Sequence, residues 1–246
     1  SSFKFEDVSS TIINPTLHVI ETPWQGLEET LNSQDSGLLL SLSDPGMLLV
    51  YINPRSGEVV VKTADANDLL ALKLVVEEIG PGELTVRDFD DIIDDADVRG
   101  LLIKPKSLII RDPVNFPKGK NIDPQYFYSD FFTLQWHITQ ACDLHCRHCY
   151  DRTVRSQPDL AGGFKIIKEF RDFCDRRNVR GQISFTGGNP LLHSNFYDFY
   201  REAGDKGIYR AVLGNPCTRE DVEKILEIGE PEFYQISLEG LEEHND

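Results

Sequence analysis

The sequence predicts an α/β protein in two parts: a winged-helix-like α+β module, then a strand–helix series amounting to half of a barrel. Three observations carry that reading. Short β-branched runs in the first half are separated by turn signals at Asp44-Pro45-Gly46 and Pro54-Arg55-Ser56-Gly57. The polar stretch 112–130 holds Pro113, Pro117 and Pro124, a linker composition. From residue 132 onward, strand and helix patterns alternate strictly, which requires parallel pairing because each crossover spans a helix.

Taken in order, residues 1–36 show little periodicity and carry turn signals at Asn14-Pro15, Thr22-Pro23 and Asn32-Ser33. They read as an irregular N-terminal arm. The module at 37–111 opens with strands 38–43 and 47–53 as a hairpin, followed by a third strand at 58–63. Leu69, Leu70, Leu72, Val75, Val76 and Ile79 then fall at helical spacing, and Gly80-Pro81-Gly82 ends that helix. Thr85 caps a second helix that turns Val86, Phe89, Ile92 and Ile93 inward and closes at Arg99-Gly100. Strands 101–103 and 108–110 around Lys104-Pro105-Lys106 form a last small hairpin. After the linker, residues 131–246 carry strands at 132–139, 182–185, 209–213 and 233–238. Helices near 164–177, 195–206 and 219–228 connect them.

Charge and composition exclude several classes of function. The chain has 246 residues, with 25 Lys and Arg against 41 Asp and Glu, a formal net charge of −16. Phosphate backbones are held by clustered Lys and Arg, so nucleic acid is excluded as the partner. Residues 83–98, with seven acids and one base, have the wrong sign for a DNA-reading winged helix. No apolar run approaches the ~20 residues of a membrane span, and no signal pattern opens the chain. A cytoplasmic protein without a membrane partner is the expectation. The single methionine, Met47, a start at Ser1-Ser2-Phe3 and an end directly after a strand point to a trimmed piece of a longer chain.

The five cysteines are Cys142, Cys146, Cys149, Cys174 and Cys217. An odd count with three inside eight residues is a metal or cluster pattern, not a disulfide framework. Cys142-Asp143-Leu144-His145-Cys146-Arg147-His148-Cys149 is C-x3-C-x2-C in the loop after the first parallel strand. Thiolates are the usual ligands of iron–sulfur clusters. Three of them occupy three irons of a four-iron cluster and leave the fourth open. The alternative is structural zinc with His145 or His148 as fourth ligand, but such sites pair two knuckles, and no second knuckle exists here. Cys174 lies among Phe170 and Phe173 at helical spacing and reads as core. Cys217 follows the third strand at a helix start and stands as a candidate for substrate contact, for an auxiliary ligand or for plain burial.

This loop resembles the signature loop of the radical S-adenosylmethionine (SAM) enzymes, and its His148-Cys149-Tyr150 ending is similar to the peptide-modifying SPASM branch. The resemblance implies a partial (β/α)6 barrel and a [4Fe–4S] cluster on Cys142, Cys146 and Cys149, with the amino acid end of SAM on the open iron. Phe185-Thr186-Gly187-Gly188-Asn189-Pro190 resembles the family's Gly-Gly-Glu-Pro motif, which implies SAM contacts from Gly187, Gly188, Asn189 and Pro190. Asn189 departs from the usual Glu and keeps an acceptor oxygen without the charge. Gln235-Ile236-Ser237-Leu238-Glu239-Gly240 resembles Ser-hydrophobic-Asp-Gly and implies a SAM hydrogen bond from Ser237. Gly214-Asn215-Pro216 stands where the family often has Asn-Gly, with Asn215 on the ribose side or a plain turn residue. His148 would border the adenine.

The implied chemistry is reductive cleavage of SAM to methionine and a 5′-deoxyadenosyl radical that abstracts a substrate hydrogen, with an electron donor such as flavodoxin or ferredoxin. The first module resembles the recognition element of ribosomally made, modified peptides (RiPPs). A leader peptide would add as a strand beside strand 58–63. Together the halves read as a radical SAM peptide maturase and oxidoreductase, similar to the selenobiotic, thio(seleno)oxazole-type group. The auxiliary clusters of SPASM enzymes need more cysteines than these five. A radical SAM enzyme on a small molecule such as a tetrapyrrole, and a non-catalytic peptide-binding piece, are the alternatives.

Overall fold

In the computed structural model the described residues are 8–33, 41–80, 85–112, 114, 124–147, 149 and 156–238. They divide between two units, Ser1–Lys106 and Ser107–Asp246, each with its own apolar core.

The first unit holds β1 (Ile12–Ile13), β2 (His18–Gln25), α1 (Leu27–Asn32), β3 (Ser41–Ile52), β4 (Val59–Thr63), α2 (Ala66–Val76), α3 (Val86–Val98) and β5 (Leu102–Ile103). β2, β3 and β4 make an antiparallel sheet in that order, and β1 pairs with β5. Leu49 and Tyr51 of β3 pack on Ala71 and Leu74 of α2, on Ile93 and Ala96 of α3, and on Leu101 and Leu102. α2 and α3 each start where a side chain satisfies an orphan backbone N–H, whereas α1 starts at Gly26 without a side-chain cap. Asp65 and Asp68 form a capping box on α2, and Thr85 caps α3 as expected.

Three expectations change here. The region read as an irregular arm contains β1, β2 and α1, because β2 is the true partner of β3. The expected hairpin around Asp44-Pro45-Gly46 is one continuous strand instead. Its ladder with β2 skips from Gly46 opposite Thr22 to Leu42 opposite Trp24, so the prolines sit in a bulge where a missing N–H costs no pairing. The expected terminal hairpin does not form either. Its first arm pairs with β1 in the first unit, while Leu108 bonds Arg177 O at 2.8 Å and Ile110 bridges Tyr128 in the second. The first unit thus ends at Lys106 rather than at residue 111.

The second unit is a parallel run: β6 (Phe131–Thr139), α4 (Leu160–Arg177), β7 (Arg180–Gly187), α5 (Phe196–Asp205), β8 (Tyr209–Leu213), α6 (Arg219–Ile228) and β9 (Phe233–Gln235). The sheet order is β6-β7-β8-β9, parallel throughout. Ile183 and Phe185 of β7 are fully buried, as befits an inner strand covered by helices. Phe199 and Tyr200 of α5, Ile167 of α4 and Ile225 of α6 complete the core with Trp136 and Ile138. Gly163 in α4 is set by this packing, since a Cβ there would lie 2.1 Å from the Phe199 ring. Cys174 is buried as expected, and burial pushes its thiol up to about 11. Within the linker stretch, Pro124–Phe127 forms a 3-10 turn. No helix among the described residues is long and apolar enough to cross a membrane.

Candidate functional site

Because β6 to β9 are parallel, the loops that follow them leave one edge of the sheet, where open α/β sheets put their ligands. The cysteine loop leaves β6 after Thr139. The Gly-Gly-Asn-Pro stretch leaves β7, Gly214-Asn215-Pro216 leaves β8, and Ser237 follows β9.

Backbone contacts bind the first two loops together. Gly188 N–H donates to Thr139 O at 3.0 Å and Asn189 N–H to Ala141 O at 2.7 Å. Gly187 has φ +133°, a region that glycine alone enters freely, and a Cβ there would lie 2.0 Å from Thr139 O. A Cβ on Gly188 would lie 2.2 Å from Ala141 O. The two glycines therefore let β7 press against the root of the cysteine loop. Thr139 Oγ1 accepts the Ala141 N–H at 3.0 Å and shapes the same root.

Side chains then tie the loop to three further strand ends. Asn189 donates to Asp143 Oδ1 at 3.1 Å, and Asn215 donates to the same oxygen at 2.5 Å. The Asn215 amide also reaches Cys142 Sγ at 3.4 Å. Tyr234, on β9, donates its hydroxyl to Asn215 O at 2.8 Å. Burial pushes the Asp143 carboxyl upward, but the Asn215 and Asn189 amides outweigh it and hold it below its ordinary value. Burial and the neighbouring Cys217 push the Tyr234 phenol up.

Of the expected site residues, the structure brings together Gly187, Gly188, Asn189, Asn215 and Cys142. Pro190 is buried at the start of the 3-10 turn Pro190–Leu192 that Asn189 caps. Cys142 and Cys149 are exposed, Cys146 is partly so, and none of the three is in a disulfide. Cys149 N–H meets Cys146 O at 3.2 Å, which folds the second half of the motif into a turn. Ser237 is exposed beyond β9, with no bond to the Asp143 node among the described residues. Cys217 precedes Thr218, the cap of α6, and lies beside Tyr234. His148 lies outside the described residues, as do Tyr150, Glu239 and Gly240. Sequence reasoning missed Asp143 and Tyr234. A carboxylate inside a thiol loop was the available signal for the first, whereas Tyr234 reads simply as a strand residue.

Residues 136–245 match the model of the Radical SAM superfamily. Fe-coproporphyrin III synthase of Methanosarcina barkeri is 30% identical over 118 residues, covering 45% of this chain and 28% of that protein. PqqA peptide cyclase of Bradyrhizobium diazoefficiens is 26% identical over 110 residues, covering 43% and 28%. The crystal structure of Streptococcus suis SuiB bound to precursor peptide SuiA aligns with 78% of this chain and 44% of that one, at 17% identity and a TM-score of 0.36. The chain spans less than a third of the length of these two curated relatives.

The superfamily works with a [4Fe–4S] cluster and SAM. The donor set fits, since three cysteine thiols outside any disulfide on one loop are the soft ligands iron–sulfur clusters take. Among the described residues no three His, Cys, Asp or Glu side chains already stand together as a metal cage. The fit therefore rests on donor chemistry.

Proposed function

We propose that this chain contains the SAM-cleaving core and the peptide-recognition part of a radical SAM maturase that modifies a ribosomally made peptide. The observation that carries the reading is the meeting of Asp143, Asn189 and Asn215, which draws three motif loops to one sheet edge around Cys142. Cys142, Cys146 and Cys149 would hold the cluster, and the 187–190 backbone, Asn215, Ser237 and His148 would line the SAM site. When bound, these groups supply reductive cleavage of the SAM sulfonium and a 5′-deoxyadenosyl radical. The chain's own residues orient and shield: the buried Trp136, Ile138, Phe185 and Val212 hold the strand ends rigid beneath the loops. This part of the chain forms the first half of a partial barrel.

A peptide substrate is supported by the first unit. The bonds of Ala64 N–H to Met47 O and of Asn53 N–H to Glu58 O direct alternate residues of β4 toward β3. Val59, Val61 and Thr63 therefore present their peptide groups to the open edge, where an extended leader could add as a strand. Glu28 already accepts from Thr63 N–H at 2.6 Å, and Asn32 donates to Val61 O at 2.8 Å. A docking leader would take over these two positions. The name of PqqA peptide cyclase points the same way, whereas Fe-coproporphyrin III synthase favours a tetrapyrrole as the second reading.

Anaerobic reconstitution with iron and sulfide tests the core: about four irons per chain and 5′-deoxyadenosine release with SAM and dithionite are expected. Bound zinc, or no cluster, would overturn it. Short peptides encoded beside the gene and iron coproporphyrin III, offered separately, decide the substrate by which one changes mass.

A further inference from the structure

Asn189 is 3% exposed, and both ends of its amide are committed within the protein. Its Oδ1 accepts the Leu191 N–H at 3.2 Å, and its Nδ2 donates to Asp143. The side-chain oxygen expected to meet SAM is therefore turned into the fold. Asp143 is its opposite: an exposed carboxylate whose Oδ1 takes both asparagine amides, while Oδ2 takes no side-chain donor among the described residues. Neutral donors hold that carboxylate in place without cancelling its charge. Among the described residues no Lys, Arg or His forms an ion pair with it. It also stands beside the first thiol of the motif. One amide nitrogen of Asn215 touches both groups, so Cys142 Sγ and Asp143 Oδ1 lie within about 6 Å of each other.

We infer that Asp143 is the residue that receives the amino end of SAM, taking its N–H donors on the free oxygen and setting its negative charge against the positive sulfonium ligand. The inference rests on the SAM-binding reading above. A pre-positioned carboxylate suits this ligand, because charge-assisted hydrogen bonds are shorter and about twice as strong as neutral ones. Asn189 and Asn215 are then positioning residues, acting through the carboxylate they hold. The departure from a charged residue at 189 follows physically: a second carboxylate there would stand against Asp143 where an amide now donates.

The test is equilibrium binding to the whole reconstituted chain, with iron content and the cluster's visible spectrum recorded for every variant. Failure of the wild type to assemble a cluster or bind SAM would overturn the underlying reading together with this one. With both in place, Asp143→Asn should keep its iron and weaken SAM binding by about 10- to 100-fold, the range for losing a hydrogen bond to a charged group. A SAM analogue lacking the amino group, which keeps the sulfonium charge, should lose less affinity than SAM does on passing from wild type to Asp143→Asn. The exchange Asp143→Asn with Asn189→Glu, which moves the charge across the same contact, should recover part of the SAM affinity. Unchanged SAM affinity in Asp143→Asn, an equal loss for SAM and the analogue, or loss of the cluster itself would overturn the inference.

Discussion

Asn215 donates its side-chain amide to the Asp143 carboxylate at 2.5 Å, joining residues 72 positions apart in the chain. The same amide lies 3.4 Å from Cys142 Sγ, and its residue is held from behind by Tyr234. One side chain thus fixes where the cysteine loop stands over the ends of β7, β8 and β9.

Removing that strut should loosen the loop. Asn215→Ala is expected to shorten the lifetime of the reconstituted cluster under a chelator and to cost about 1 kcal/mol in urea unfolding, the lower end for a bond to a charged group because the site is partly exposed. Tyr234→Phe should produce a smaller change of the same kind. A cluster lifetime in Asn215→Ala equal to that of wild type would remove the strut role.

The glycines make a sharper prediction. In Gly187→Ala the new Cβ meets Thr139 O, a backbone atom that cannot swing aside, at a φ that L-residues rarely adopt. The variant should lose at least ~2 kcal/mol and assemble no cluster. Gly80→Ala, with nothing within 4 Å of the added carbon, should stay within about 0.5 kcal/mol of wild type. Equal behaviour of the two variants in urea unfolding would contradict the close approach of β7 to the loop root.

In the first unit, Asp68 is fully buried and paired with Lys62 at 2.6 Å and with Arg99, while its side chain closes the capping box on α2. Asp68→Ala removes the buried carboxylate that Lys62 and Arg99 share and leaves them only the exposed Asp65 and Asp95. Breaking a buried pair costs roughly 3–5 kcal/mol, and the partial exposure of Lys62 and Arg99 brings the expectation to about 3. Chemical denaturation followed by a probe in the first unit would measure it. A loss under 1 kcal/mol would show the pair to be solvated.

His193 predicts a pH dependence. Burial lowers its pKa below the ordinary histidine value, against a raising hydrogen bond to Pro158. Its Nδ1 accepts the Asn195 N–H at 3.1 Å, a bond that protonation there would break. Below about pH 6.5 the unfolded chain binds the proton more readily than the folded one. Stability should therefore be full above that pH and fall as the pH drops toward the depressed folded value. His193→Asn, which keeps an acceptor without the titration, should flatten the slope of Tm between pH 6.5 and pH 5. An unchanged slope would assign the acid sensitivity to other groups.

Local pattern revealed the second unit nearly element by element. β8 and α6 lie where periodicity puts them, and β6, β7, α4 and α5 differ from expectation by a few residues at their ends. Thr85 and Thr218 start their helices because a cap acts within four residues. The first unit was harder to read. β2 carries Pro23 and no clean alternation, so only its pairing with β3 makes it a strand. Pro45-Gly46 has the chemistry of a turn, yet Gly46 pairs with Thr22 and Pro45 lies in the adjoining bulge because that pairing supplies the missing order.

What the sequence alone determined are the features encoded by neighbours in the chain: thiol spacing, helix caps, the strand–helix alternation and the excess of negative charge. The tertiary structure decided what depends on distant residues meeting. Asp143 is an ordinary loop acid until β7 and β8 bring Asn189 and Asn215 against it, 46 and 72 positions away. The two glycines are expected from the sequence as SAM contacts, and only the fold shows that Thr139 O and Ala141 O stand where a Cβ on them would lie. Hydrogen bonds and steric exclusion act over a few ångströms, and only the folded sheet brings those partners that close.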